Sequence, residues 1–183
     1  MAKTSLPLSR VYRLIEPGPV VLVSTMSGSK ANIMTMSWHM MIEFEPPILA
    51  YVLHTRDYTF DIVRKTKECV INIPTVALAK QVVACRNISG RNVDKFKTFG
   101  LTPSTAAYVH APLIDECYAN LECKLIDARM AAKYNFFILE VLKAWIDPSM
   151  KHPRTIHHLG RGVFMVAGRT INLPSKITSR ARK

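Results

Sequence analysis

VVLVSTMSGSKANIMTMSW, residues 20–38, reads as two strands folded back on one another. Residues 20–25 are apolar and rich in β-branched side chains, which favour extended backbone. Ser27-Gly28-Ser29-Lys30 supplies the residue types a hairpin turn requires. Residues 33–42 then predict a second strand region, interrupted by polar Thr35 and Ser37, and Pro46-Pro47 breaks it.

The pattern continues downstream. Residues 48–53 predict a third strand. A helix follows, with Asp57 as its cap or first-turn acid, Tyr58, Ile62 and Val63 on one face, and Lys65 and Lys67 at its end. Residues 69–73 form a buried-type strand closed by Pro74, and Thr75 caps a second amphipathic helix running to Val83. Residues 94–99 predict a short helix ended by Gly100. Long strands are expected over 118–126 and 136–145, and a last one over 162–167. Upstream, residues 9–15 suggest a short helix stopped by Pro17-Gly18-Pro19. The strands do not alternate regularly with helices, which disfavours a doubly wound parallel sheet. The expected class is mainly β, an antiparallel barrel carrying a few helices.

The chain has 183 residues, 49% of them hydrophobic and 21% charged, which suits one compact domain. No apolar run reaches the roughly 18–20 residues of a membrane span. The N-terminus lacks the apolar core of a signal peptide, so the expected location is cytoplasmic. Cys69, Cys85, Cys117 and Cys123 show no CxxC spacing and read as buried, reduced thiols. The net charge of +12 raises nucleic acid as a partner. Four of the cations lie in KITSRARK, residues 176–183, within a basic tail expected over 171–183, beyond a single domain over 1–170. The remaining cations are scattered, with no aromatic-interleaved basic stripe and no zinc-finger spacing. Nucleic-acid binding is therefore the disfavoured alternative.

No GxSxG, HExxH or GxxxxGK[ST] motif is present. His157 and His158 are adjacent, so on a strand they point to opposite faces and do not readily share a metal. Three segments stand out. Asn32, Thr35 and Ser37 interrupt an apolar strand, either to bind a polar ring edge or simply to face water. HTRDYT, residues 54–59, joins a strand end to a helix start. It offers unpaired N–H donors, the Thr55 and Thr59 hydroxyls and the Arg56 fork to a phosphate, or plain capping beside a surface arginine. NISGRNVDKF, residues 87–96, puts Ser89 and Gly90 in a turn before Arg91 and Lys95, either toward a ligand or as a solvated loop with Lys95 on an exposed helix face.

These segments occur in a recognisable order: PGPVVLVST, ANIMTMSW, FEPPILAYVL, HTRDYTFDIV, CVINIP, SGRNVDKF, GLTP, APLIDEC and ANLECKL. The ordered set resembles the flavin reductase-like family of FMN-binding split-barrel proteins, which includes flavoredoxin and NAD(P)H:flavin reductases. The likeness covers roughly residues 10–170, and GLTP with APLIDEC and LEC is its most characteristic part. It implies a Greek-key split β-barrel and a homodimer with FMN near the interface. It implies FMN as cofactor, NADH or NADPH as electron donor, and a flavin, another small molecule or a partner protein as acceptor. A flavoredoxin-like electron carrier, without productive NAD(P)H binding, is the alternative. Carried over by position, Asn32, Thr35, Ser37 and Trp38 lie along the flavin. Thr55, Arg56 and Thr59 form the phosphate loop, Ser89 and Lys95 belong to the SGRNVDKF contact, and Phe164 borders the site. The chain departs from the family pattern at Tyr134, where a histidine is usual, and at Leu139, where a glycine is usual.

Overall fold

The computed structural model describes residues 18–43 and 45–174. The expected helix over 9–15 and most of the basic tail lie outside them.

The first hairpin pairs β1 (Val21–Ser27) with β2 (Lys30–Met36) in antiparallel register, from Val21 opposite Met36 to Ser27 opposite Lys30. Gly28 in its turn takes φ of 59°, a left-handed value that a side chain would make costly. The continuous apolar run in β1 has a direct cause. Val21 and Val23 pack into one core cluster, with Tyr51, Phe60, Phe137 and Leu139. Val20 and Leu22 pack into another, with Ile33, Val82 and Phe96. The strand is buried on both faces, so its period of two separates two cores rather than core from water.

The expected strand over 33–42 is in fact two. β2 ends at Met36, and β3 (His39–Glu43) begins after Ser37 and Trp38. β3 pairs with β4 (Ile48–Val52). The main sheet adds β5 (Glu68–Ile73), β8 (Ala119–Asp127) and β9 (Phe136–Ile146) in the order β2-β1-β5-β8-β9-β4-β3, antiparallel throughout. Its two edge strands, β2 and β3, are thus consecutive in the chain. Three Cα steps separate Met36 from His39, so these ends lie within about 11 Å. The sheet curls round until its edges nearly meet at this end, the barrel that the sequence pattern implied and the split form that the family resemblance implied.

Between β4 and β5 runs helix α1 (Tyr58–Thr66), which places Phe60 and Val63 on the first core. Between β5 and β8 lie α2 (Ala79–Asn87), α3 (Lys95–Phe99), and the short pair β6 (Pro103–Ser104) and β7 (Leu113–Ile114). Asp94 caps α3 by accepting from the Lys97 N–H at 3.2 Å, and Gly100 ends it at φ 62°. Thr75 makes no side-chain cap. It precedes a turn of 3₁₀ helix (Val76–Leu78) that leads into α2. Beside β6 and β7, two further elements were not expected. The one-turn helix α4 (Ala131–Tyr134) sits before β9, and β10 (Ile156–Gly160) pairs with β11 (Val163–Val166).

The segment most characteristic in sequence is architectural. Both Glu116 carboxylate oxygens accept from the Thr102 N–H, at 3.0 and 3.1 Å. Asn72 Oδ1 accepts from the Ile114 N–H at 3.0 Å and from Asn120 Nδ2 at 2.7 Å. Ser24 Oγ donates to the Pro112 carbonyl at 2.5 Å. Glu122, fully buried, accepts from the Ala107 and Tyr108 N–H groups and from Trp145 Nε1, at 3.0, 2.6 and 2.7 Å. These bonds tie the 102–117 excursion to itself and staple it to β1, β5 and β8.

Candidate functional site

A cavity of about 430 Å³ opens where β2 ends, and β4, α1 and α2 wall its sides. That volume lies in the range of small-molecule sites. Asn32, Thr35, Ser37 and Trp38 line it from β2 and the link to β3. Arg56 and Thr59 line it from the start of α1, and Ser89 and Lys95 from the loop after α2. The fold therefore gathers eight of the ten expected site residues around one space. Thr55 stands in the exposed turn before α1 and does not line this cavity. Phe164, on β11, lines a second chamber of about 250 Å³ that shares Thr35, Met36, Ser37 and Arg86 with the first.

The helix start is built differently from the sequence expectation. Asp57 makes no side-chain cap to α1. Its carboxylate turns back and accepts from the His54 N–H at 3.0 Å, and the Arg56 N–H donates to His54 Nδ1 at 3.1 Å. The 54–57 turn is thereby fixed, while the first-turn N–H groups of α1 keep no side-chain acceptor from their cap residue. Arg56 is exposed, and its guanidinium forms no ion pair among the described residues.

Lys95 is not on an exposed face. It is 4% exposed, and its Nζ donates to the Ile33 carbonyl at 2.7 Å and the Cys85 carbonyl at 2.6 Å. An ammonium has three donors, so one remains. Burial lowers its pKa, while the charges of Cys85 and Asp57 oppose that shift. Cys85, which also lines the cavity, has its thiol pushed up to about 11 by burial, against the pull of Lys95. It is a poor nucleophile in that state.

Asn32 is 2% exposed and donates from Nδ2 to Thr59 Oγ1 at 3.0 Å, joining β2 to α1. Its Oδ1 is buried without a hydrogen-bond partner among the described residues. Thr35 Oγ1 donates to the Val82 carbonyl at 2.7 Å, tying β2 to α2 between the two chambers. Trp38 is 56% exposed, so it walls the mouth rather than the floor. Ser89 Oγ accepts from the Arg91 N–H at 3.3 Å. Arg91 stacks on Tyr58, 4.8 Å from guanidinium carbon to ring centroid, and reaches Asp61 at 3.8 Å. That clamp holds the 88–91 loop over α1. Tyr134 is 58% exposed on α4, with Lys133 over its ring, and does not line the cavity.

Sequence reasoning missed Tyr58, Arg86 and Gly90 as lining residues. For Gly90 a signal existed, because glycine in SGR marks close backbone approach.

A model of the flavin reductase like domain matches residues 12–165. The chain belongs to the flavin reductase-like family. Among this family member's relatives is the uncharacterized YddH of Escherichia coli K12, 32% identical over 178 residues, covering 90% of this chain and 94% of that one. Among solved structures, the FMN-binding domain of a flavin reductases-like enzyme from Shewanella baltica superposes with a TM-score of 0.80 at 29% identity, covering 93% and 97% of the two chains. Flavoredoxin of Desulfovibrio vulgaris (Miyazaki F) gives 0.84 at 26% identity, covering 96% and 98%. The flavin reductase-like chain thus shares its whole described fold with them. No helix among its described residues is long and apolar enough to cross a membrane.

Proposed function

We propose that this protein binds FMN in the 430 Å³ cavity and is an oxidoreductase that takes hydride from NADH or NADPH onto the flavin and passes electrons to a flavin or another acceptor. The observation that carries the reading is the convergence of Arg56, the uncapped start of α1 and buried Lys95 on one cavity of cofactor size. The residues fit the cofactor. Arg56 and the first-turn N–H groups suit a phosphate, and Lys95 keeps one donor beyond its two carbonyl bonds for a polar ring edge.

When bound, FMN supplies the hydride chemistry, so no side-chain base is needed. The chain's own work is positional. Arg56, Thr59 and Ser89 hold the phosphate end. Thr35 and Ser37 face the ring, Trp38 covers the mouth and excludes water, and Lys95 offers its third N–H as a cationic donor where negative charge develops. With its two carbonyl bonds fixed, that donor needs little reorganisation.

A second copy of the chain is the partner this surface suits. Edge strand β3 exposes Met40, Met41 and Ile42 at 57, 51 and 46%. Such an apolar edge is usually covered. Light scattering that finds a dimer supports this, and a monomer at micromolar concentration overturns it.

The test of function is direct. Purified protein is expected to bind FMN at micromolar or lower concentration and to oxidise NADH or NADPH when flavin is added. No FMN binding sinks the reading. Tight FMN binding without NAD(P)H turnover selects the flavoredoxin-like carrier, a reading that the structural likeness to flavoredoxin favours.

A further inference from the structure

The second chamber has no role in the reading above. It lies across Thr35 from the cofactor cavity, and the β10–β11 hairpin closes it. Its volume of about 250 Å³ is below the roughly 300–1,000 Å³ of drug-sized sites. A single ring with one substituent suits it; a dinucleotide does not.

Its walls are of two kinds. Val20, Val82 and Phe164 are apolar. Phe164 is held by His158, with ring centroids 5.3 Å apart at 49°. Arg86, from the last turn of α2, and Arg161, from the hairpin tip, also line the chamber, and both are exposed. Neither forms an ion pair among the described residues, and no Asp or Glu is among the described residues that line the chamber. Two unpaired arginines beside an aromatic wall match an anionic head on a flat apolar body.

The hairpin tip is built to present Arg161. Gly160, Arg161 and Gly162 all have positive φ, at 96°, 52° and 76°. Glycine adopts this freely, whereas arginine there is strained, and strain of this kind gathers at ligand-binding positions. Glycine or asparagine would form the same turn at lower cost. What arginine adds is a cationic side chain at the chamber's wall.

We propose that this chamber is the specificity site for the acceptor substrate, and that it takes a small planar monocarboxylate, its ring against Phe164 and its carboxylate on Arg161 and Arg86. Calling this ligand a substrate rests on the flavin reading. The site itself does not.

The experiment is calorimetric titration of the FMN-loaded protein with benzoate, with its neutral isostere benzamide and with adenosine 2′-phosphate. Benzoate is expected to bind at least about tenfold tighter than benzamide. Arg161→Asn keeps a residue that tolerates the left-handed turn and removes the charge. It is expected to weaken benzoate about tenfold while leaving benzamide and FMN affinities unchanged. Equal binding of benzoate and benzamide, or no effect of Arg161→Asn on benzoate, overturns the proposal. Adenosine 2′-phosphate binding tighter than benzoate and displacing it reassigns the chamber to a dinucleotide phosphate, and also overturns it. Failure to load FMN, with the benzoate preference intact in the unloaded protein, would instead refute the flavin reading and the substrate role while leaving the acid site standing.

Discussion

A Cβ added to Gly90 would lie 1.8 Å from Asn32 Oδ1. The backbone of the 88–91 loop therefore rests directly on the Asn32 amide, which is itself held by Thr59. Gly90→Ala forces one of the two apart. It is expected to cost about 1–3 kcal/mol in urea unfolding and to weaken FMN binding at least tenfold. In an Asn32→Ala background the same change is expected to cost under half as much. An equal cost in both backgrounds would show that the contact is not the cause.

Arg56→Ala removes an exposed guanidinium from the cavity without disturbing a partner. Its expected effect is a loss of about 1.5–3 kcal/mol in FMN affinity, with the melting temperature of the unloaded protein unchanged. Fluorescence titration of FMN measures it. An unaltered dissociation constant removes Arg56 from the phosphate site.

Lys95→Met leaves the Ile33 and Cys85 carbonyls without their donor and removes the buried cation. A destabilisation of about 1–3 kcal/mol is expected at neutral pH, along with weaker FMN binding. The pH dependence has a definite sign. Burial holds Lys95 below its ordinary value, so the unfolded chain binds more protons, and its contribution to stability rises with pH between the folded value and about 10.4. The raised Cys85 thiol acts the other way above about pH 9, in both proteins. The gap between wild type and variant should therefore widen from pH 8 to 10. A gap independent of pH would mean that Lys95 is not titrating there.

Glu122 supplies an acid-side test. Burial alone would raise its carboxyl, but the Ala107, Tyr108 and Val109 N–H groups and Trp145 Nε1 outweigh that and hold it below the usual range. Its stabilisation is complete above the unfolded value of about 4.3 and is lost as pH falls through the lower folded value. Glu122→Gln is expected to cost about 1.5–3 kcal/mol at pH 7, with the difference closing below about pH 4. Intrinsic tryptophan fluorescence follows the unfolding.

Much of this was legible in the chain itself. The β1–β2 hairpin, α1, and α3 with its Gly100 stop follow from local chemistry, and eight expected residues do line one cavity. What was hidden depends on distant partners. The break at Ser37-Trp38 exists because the chain crosses from one sheet edge to the other there. Strand β10 carries two histidines and little periodicity, and is fixed by β11 and by the Val20 N–H bond to the Ile156 carbonyl at 2.8 Å. A lysine is expected in water, so the burial of Lys95 had no local signal. The family's most characteristic motif, GLTP with APLIDEC, proved to be a set of structural staples rather than ligand contacts.

The described lining of the larger cavity runs from Asn32 to Lys95, whereas the hairpin over 156–166 helps line only the smaller chamber. Arg161 and Phe164 of the smaller chamber thus come from a stretch that supplies none of the described lining of the larger cavity. On the proposed acceptor role, exchanging residues at the hairpin tip would retune the acceptor while leaving the described lining of the larger cavity in place.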